Sequence, residues 1–597
     1  MTRSRKVWHC NRVLLSFGIV CFSVTACSRP KPAADPVSSI SSESALVSLA
    51  PREQVEARGK RWVVSTQGRA TTQITREILE KGGNLIDAAI AASFAISVER
   101  PHSTGIGGGG FLIYHEALTG KDFVYDFRER APAKASPKMF LDAKGNVVPG
   151  LSVTGEKSIA VPGLVRGLKA LHARFGQRAW SELVDPAARL AEDGFPVYRA
   201  LAKALREEQG NLRKFKGSRS IFLKSDGSPF KEGEILVQKD LAKTLRTLAR
   251  DPDDFYRGEI AKKVVSTVSL GKGILTASDL ADYPVKERRA IEANWRGYRV
   301  IAMPPPSSGG IHVIQILKML EADPLKKSGF WSQESIHLIA SAMQQAFADR
   351  AKYLGDPEFT RVPIQGLLDD AYLKGLRSKF NLTRARSQSE VSPGKVDPEK
   401  DHFETTHFSL MDEEGNAVVS TQTINGWFGS KVTAEGTGIV LNNEMDDFSA
   451  KIGAKNIFGA TAVTEANEIQ PGKTPLSSMS PTILLKDGKP VLALGAPGGT
   501  RIITAVTQTI LNHLVFEKNL FDSIAAPRIH QQWTPDQLSI ENLEVSSKVL
   551  QGLQSLGWKI KRVPGQSNVM AVARDGNSLI GVADPRDAGT SAAGIEN

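Results

Sequence analysis

The last third of the chain repeats one local design three times. THFSLMDEEGNAVVSTQT, PTILLKDGKPVLALGAP and NVMAVARDGNSLIGVADP each set two apolar, strand-like runs around a turn built on Glu-Gly or Asp-Gly. A glycine after an acidic residue meets the positive φ that tight hairpin turns demand, so the pattern predicts three hairpins and an antiparallel sheet. Between them, TRIITAVTQTILNHL places Ile502, Val506, Ile510 and Leu514 on one helical face, and SSKVLQGLQSLGW reads as a second amphipathic helix. Sheets with segregated helices point to layered α+β packing. No self-similarity recurs at periods of about 20–50 residues, which argues against repeat architectures.

The preceding two-thirds reads differently. Residues 71–98 predict two helices divided by Gly82-Gly83, with Ile86, Ala89, Ala92 and Phe94 among the apolar positions. The run GIGGGG at residues 105–110 satisfies GxGxxG, yet it follows a helix and leads into the strand FLIYHE, the reverse of the dinucleotide-binding order. Its plainer reading is a loop whose backbone approaches another segment closely, because glycine removes the side-chain obstacle. FLIYHE and DFVYDF flank Ala-Leu-Thr-Gly as a further hairpin that ends at Asp126-Phe127-Arg128-Glu129. Helical runs then dominate through Tyr353. The clearest is SQESIHLIASAMQQAFADRAKYL, where Ile336, Ile339, Met343 and Phe347 recur at helical spacing.

All three cysteines, Cys10, Cys21 and Cys27, fall within the first 27 residues, so the rest of the chain has no disulfide, thiolate nucleophile or cysteine metal site. A basic start, MTRSRK, the apolar run VLLSFGIVCFSV and small residues before Cys27 follow the order of an export signal. The apolar run is shorter than the ~20 residues that span a bilayer. Val24-Thr25-Ala26-Cys27 resembles a bacterial lipobox, in which the cysteine is lipidated and becomes the new N-terminus; an ordinary cleaved signal is the other reading. SRPKPAADPVSSISSES reads as a flexible tether. The expected organisation is a leader over residues 1–27, a tether over 28–57 and a globular body from residue 58.

A hydrophobic fraction of 41% and a charged fraction of 23% place that body among ordinary globular proteins. The formal charge of +12 includes Arg3, Arg5, Lys6 and Arg12 of the leader, and the rest of the excess is spread out, so nucleic acid is not an expected partner. There is no HExxH, GxSxG or P-loop, and the ten histidines show no paired metal-ligand spacing. Metal hydrolysis and the usual serine triad are therefore disfavoured. What remains is a hydroxyl on the first strand of a C-terminal sheet unit. A threonine alcohol becomes a usable nucleophile when its own free α-amine accepts the proton, which requires scission of the chain just before it.

Asp401-His402-Phe403-Glu404-Thr405-Thr406-His407-Phe408-Ser409 resembles the processing junction of the γ-glutamyltranspeptidases, members of the N-terminal-nucleophile hydrolase superfamily. The resemblance covers roughly residues 62–588 and includes, in order, DFRERAPA, MPPPSSGG, LNNEMDDFS, PLSSMSPT, GAPGGTRI and the closing ADPR. Each of these alone reads as a loop of common turn residues; together they carry the resemblance. It implies an α+β, four-layer αββα sandwich built from both halves of a self-cleaved precursor. Residues 58–404 form the large subunit and 405–597 the small catalytic one, held together as a heterodimer. In the family's manner, the Thr405 hydroxyl attacks the Glu404 carbonyl and the resulting ester is hydrolysed.

The resemblance also implies roles. Thr405 is the nucleophile and its α-amine the base, and Thr423, on the partner strand of the same hairpin, holds that amine. Gly498 and Gly499 offer backbone N–H groups to the developing oxyanion. Arg128 takes the α-carboxylate of a γ-glutamyl donor, with Ser477 and Ser478 as further hydroxyl donors. Glu444, Asp447 and Asn425 receive its α-ammonium. Read without the resemblance, Thr423 is an ordinary strand threonine, Pro-Gly-Gly a bare turn, NNEMDD a solvated turn, and Arg128 a structural partner of Glu129 or Asp126.

The implied activity is that of a self-processing γ-glutamyltransferase and glutathione hydrolase. Thr405 takes the γ-glutamyl group of glutathione, its conjugates or other γ-glutamyl compounds, and water or an acceptor amino acid or dipeptide then attacks the ester. No metal or organic cofactor is expected. The expected location is the periplasm or, with Cys27 lipidated, an outer-membrane anchor of a bacterium. Two positions depart from the bacterial pattern: Phe458 stands where a lid tyrosine is common, and Glu444 where some relatives have glutamine. Two other readings stay open, a cephalosporin or glutaryl acylase that processes itself in the same way and a non-catalytic envelope binding lipoprotein.

Overall fold

The computed structural model describes residues 46–394, 406–451, 454, 457, 464–587 and 589–595. Cys27, Glu404, Thr405 and Phe458 lie outside the described residues.

Two seven-stranded antiparallel sheets form the centre. In chain order their strands are β1 (Glu56–Gly59), β2 (Trp62–Thr66), β3 (Gly109–Glu116), β4 (Lys121–Asp126), β5 (Lys286–Arg288), β6 (Ile291–Trp295), β7 (Tyr298–Ala302), β8 (Thr406–Asp412), β9 (Ala417–Thr423), β10 (Thr482–Lys486), β11 (Lys489–Gly495), β12 (Met570–Asp575), β13 (Ser578–Ala583) and β14 (Ser591–Gly594). One sheet has the order β14-β2-β8-β9-β3-β4-β5 and the other β1-β13-β12-β11-β10-β7-β6. The three expected hairpins are β8–β9, β10–β11 and β12–β13. Their turn glycines Gly415, Gly488 and Gly576 have φ of 97°, 77° and 61°, where side chains are disfavoured.

Alternation along the strands separates two cores. In the first sheet Val63, Phe111, Ile113, Met411 and Val419 face the second sheet, within one core that also holds Leu484, Leu494 and Val572. Their neighbours Val64, Leu112, Phe408, Leu410 and Val418 belong to the other core, beneath helices. β2, β8 and β9 are consequently buried on both faces.

Helices cover each outer face. On the first sheet lie α1 (Arg69–Glu80) and α2 (Leu85–Glu99), with α3 (Trp180–Asp193), α4 (Arg199–Leu212) and α5 (Lys239–Arg250) sharing their core. The second sheet is covered by α6 (Gly309–Met319) and α8 (Arg501–Leu514), with α7 (Gln333–Tyr353) and α9 (Ser547–Ser555) packed beside them. The order is therefore helix, sheet, sheet, helix, an αββα sandwich of α+β class. The expected break between α1 and α2 has a local cause. Gly82 takes φ 82°, and Asn84 caps α2 by accepting from Asp87 N (2.8 Å) while Asp87 accepts from Asn84 N (3.1 Å).

Two expectations need correction. Residues 52–57, placed in the tether by composition, form a short helix, Arg52–Val55, and the start of β1, which pairs with β13. Strands β5, β6 and β7 also interrupt the region read as helical. Ile291 and Trp295 alternate with polar residues, Arg296-Gly297 makes the turn at φ 49° and 80°, and Trp295 donates to Leu317 O of α6 (3.0 Å). A five-residue strand shows too few periods to stand out between long helices.

Candidate active site

The site lies where β8 begins and β9 ends. Thr406 is the first described residue of β8 and pairs with Gln422, the neighbour of Thr423, which ends β9. Thr406 and Ser103 hydroxyls are 2.9 Å apart, and His407 N donates to Gln67 Oε1 (3.0 Å). The His407 ring lies between Thr421 Oγ1 (2.8 Å) and Ser409 Oγ (3.0 Å), and burial lowers its pKa to about 3, so it is neutral.

The GIGGGG loop does make the close approach expected of it. A Cβ on Gly107, Gly108, Gly109 or Gly110 would collide with the carbonyl of Val440, Thr423, Phe127 or Thr421, respectively. This backbone packing holds the end of β9 in place. Beyond it, Thr423 Oγ1 accepts from Asn425 N (2.7 Å). Asn425 sits at φ 69°, a conformation that asparagine tolerates better than most residues, and donates from Nδ2 to Asn443 O (3.1 Å), next to Glu444.

Arg128, just past β4, is 1% exposed. Its Nη1 is 2.6 Å from Glu444 Oε1 and its Nη2 is 2.6 Å from Asp447 Oδ2. Nε donates to Pro475 O (2.9 Å) and Nη2 to Leu476 O (3.2 Å), immediately before Ser477-Ser478. Thus Arg128, Glu444, Asp447 and the two-serine segment meet in one buried cluster, with Asn425 beside it. Two of the simpler readings do not match the structure. Asp126 gives its side chain to Arg128 N (3.0 Å) and to Arg288 Nε (2.6 Å), not to the Arg128 guanidinium, and the NNEMDD turn is buried throughout.

Burial dominates the cluster's protonation. Glu444 is raised to about 7, because desolvation outweighs the opposing pull of Arg128. Glu129, packed beneath Gly109, is pushed well above the carboxylate range by burial and then by the Glu444 charge. Arg128 keeps its charge, since Glu444 and Asp447 offset desolvation.

Ser477 Oγ accepts from Met479 N (3.1 Å), and Ser477 O accepts from Ser308 N (2.7 Å). Ser478 Oγ accepts from Arg350, whose Nε also donates to Ser308 Oγ (2.8 Å). Gly498 and Gly499, at φ 125° and 66°, form the turn into α8, with Gly498 against Gln566 and Ser567. Gly495, at the end of β11, lies against the His407 ring, which brings this turn toward the start of β8.

Sequence reasoning did not single out Glu129, Ser308 or Arg350. Arg350 carried a signal, since it follows Phe347 by three residues and Met343 by seven, at the spacing of the apolar face in SQESIHLIASAMQQAFADRAKYL. Glu129 stood in DFRERAPA as a neighbour of Arg128 and nothing more.

The αββα sandwich of two antiparallel sheets between helices is the architecture of the N-terminal-nucleophile hydrolases. The chain belongs to the gamma-glutamyltranspeptidase family, whose sequence model matches residues 71–594. It is 42% identical over 541 residues to a glutathione hydrolase proenzyme of Escherichia coli (strain K12), covering 90% of this chain and 92% of that one. It is 41% identical over 538 residues to a glutathione hydrolase proenzyme of Pseudomonas sp. (strain A14), covering 90% and 93%. Among solved structures, a cephalosporin acylase from Bacillus halodurans superposes with a TM-score of 0.81 at 27% identity, covering 94% of this chain and all of that one.

Proposed function

We propose that the protein is a self-processing γ-glutamyltransferase and glutathione hydrolase. The observation that carries this is the Arg128–Glu444–Asp447 cluster at the end of the β8–β9 hairpin. The α-carbon of a γ-glutamyl donor bears a carboxylate and an ammonium side by side, and the cluster offers one cation and two carboxylates close together. Removing these groups from water is costly. A bound zwitterion adds one charge of each sign to the two internal pairs, with its carboxylate on Arg128, Ser477 and Ser478 and its ammonium on Glu444, Asp447 and Asn425.

Catalysis follows from that placement. The Thr405 hydroxyl gives its proton to the α-amine freed by cleavage after Glu404, and its oxygen attacks the γ-carbonyl. Thr423 holds the amine, and the N–H groups of Gly498 and Gly499 receive the oxyanion. Collapse breaks the amide, the amine returns the proton to the leaving nitrogen, and a γ-glutamyl ester remains on Thr405. Water or an acceptor amine then adds to the ester and regenerates the hydroxyl. Residues 58–404 and 405–597 stay together as a heterodimer, since strands of both share each sheet.

Denaturing electrophoresis with N-terminal sequencing tests the scheme. A fragment beginning at Thr405 is expected from wild type and one unbroken chain from Thr405→Ala. Cleavage of the variant would refute self-processing. Likeness to an acylase leaves a glutaryl substrate as the second reading; preference for a glutaryl over a γ-glutamyl anilide would select it. We also infer export with lipidation at Cys27, on the strength of Val24-Thr25-Ala26-Cys27. Mass spectrometry of the mature N-terminal peptide would show an unmodified residue if that inference were wrong.

A further inference from the structure

Helix α7 carries a polar stripe that the proposed chemistry does not use. Gln345, Asp349 and Tyr353 stand at i, i+4 and i+8, so they share one face of the helix, and all three are withdrawn from water. Each of them binds the same stretch of chain. Gln345 Nε2 donates to Ser392 O (3.1 Å), Asp349 Oδ1 accepts from Gly394 N (2.9 Å), and the Tyr353 hydroxyl donates to Gly394 O. One residue before Ser392, Val391 O accepts from Trp533 Nε1 (2.9 Å). Residues 391–394 belong to no helix or strand, so side chains instead of a backbone ladder satisfy these groups.

Asp349 is the centre of the stripe. Its other oxygen accepts from the Tyr372 hydroxyl (2.7 Å), on the helix Asp370–Arg377, and from Gln315 Nε2 of α6 (3.2 Å). Burial raises its pKa against the pull of these hydrogen bonds. A carboxylate held in this way stabilises a core less than an apolar side chain of similar size, so what it supplies is a fixed acceptor for Gly394 N. Gly394 fits the contact closely. A Cβ there would collide with the Tyr372 hydroxyl, so a side chain enters only if that ring moves.

The place of this stretch in the chain gives the stripe its meaning. Gly394 stands ten positions before Glu404, whose carbonyl Thr405 attacks in the proposed self-cleavage. On the far side of that bond the strand is also held from the N-terminal half, by Ser103 at Thr406 and Gln67 at His407. We infer that Gln345, Asp349 and Tyr353 are positioning residues for self-processing, which fix where and in which direction the chain sets out toward the scissile bond. The inference rests on the self-processing reading and adds the residues that aim it. In that step the Thr405 oxygen bonds to the Glu404 carbonyl carbon, the C–N bond between the two residues breaks, and the hydroxyl proton ends on the nitrogen, which becomes the α-amine. Water then hydrolyses the ester, leaving a carboxylate on Glu404 and the hydroxyl on Thr405. Releasing Gly394 would lengthen the free stretch, yet doubling a loop's length costs only about a factor of three, so the larger loss is of direction. The stripe therefore serves the step before scission, whereas turnover uses the cluster around Arg128.

The test separates cleavage from turnover. Precursor made by pulse-labelled translation is chased and run on denaturing gels, which gives the rate constant of scission, and the cleaved enzyme is assayed on γ-glutamyl p-nitroanilide per mole of small subunit. Asp349→Leu and Tyr353→Phe are expected to slow scission by about tenfold through lost alignment, with kcat/KM of the cleaved form within about twofold of wild type. Asp349→Asn keeps an acceptor for Gly394 N and should cleave at close to the wild-type rate. Tyr353→Phe, which removes one hydroxyl and keeps the ring, decides if Asp349→Leu fails to fold. Scission at the wild-type rate in either slowed variant, Asp349→Asn as slow as Asp349→Leu, or a scission defect matched by an equal loss of kcat/KM overturns the inference while self-processing stands. A wild-type precursor that never cleaves removes self-processing and the inference together.

Discussion

Nη2 of Arg128 lies 2.6 Å from Oδ2 of Asp447, and both side chains are withdrawn from water. The two residues are 319 positions apart, one past β4 and the other on the turn Glu444–Asp447 that follows the β8–β9 hairpin. Their pairing joins the segments on either side of the proposed cleavage point.

Replacing Arg128 by methionine should therefore cost stability as well as donor affinity. Two carboxylates would stay buried without their cation, a loss of about 3–5 kcal/mol at pH 7.5. In that variant Glu444, already raised by burial, loses the cation that opposes the rise, so the deficit is full at high pH and shrinks as pH falls and it takes up a proton. Urea denaturation at pH 7.5 and 5.5 measures this. Equal stability of variant and wild type at pH 7.5 would contradict the buried pair.

Glu444 should control how donor binding depends on pH. Its folded pKa, about 7, lies above its unfolded value, so the stability it lends is fully present below the ordinary carboxylate range and is lost as pH rises through neutrality. Binding an ammonium runs the other way, because it needs the ionised form. The KM for a γ-glutamyl donor is expected to rise as pH falls below 7, approaching about tenfold per unit, from a single proton. Glu444→Gln should flatten that limb. A profile unaltered by the substitution would assign the titration elsewhere.

Gly108 and Gly210 should respond oppositely to alanine. A Cβ at 108 meets the Thr423 carbonyl and the Ile424 side chain, whereas one at 210, within α4, meets nothing within 4 Å. Gly108→Ala is expected to destabilise by about 1–3 kcal/mol and to slow self-cleavage by shifting Thr423. Gly210→Ala should stabilise by about 0.5–1 kcal/mol. Thermal unfolding of both, with a processing time course, decides; tolerance of Gly108→Ala would mean that the loop is loosely packed.

Much of the architecture was legible beforehand because its signals are local. Asp-Gly and Glu-Gly turns, the Gly82-Gly83 break and the helical spacing on α7 and α8 depend on residues a few positions apart. The short strands β5 to β7 escaped notice because their alternation is brief. Strand β14 carries only Ser-Ala-Ala-Gly, which has no apolar alternation to read; pairing with β2 makes it a strand. In the site, the residue types were visible in DFRERAPA and LNNEMDDFS, but nearness in sequence pointed Arg128 to Glu129 or Asp126 and not to the acidic turn.

By itself the sequence determined the hairpins, the helix limits, the glycine loop that admits neighbouring backbone, and the motifs that mark the family, since backbone preference and side-chain period act over short distances. Tertiary structure alone decided that Arg128 faces Glu444 and Asp447, that Arg350 holds Ser478, and that Gly394 lies against Asp349 and Tyr353. Those outcomes depend on which distant segments are buried together. Burial then sets the protonation of Glu129 and Glu444 by taking charge out of water.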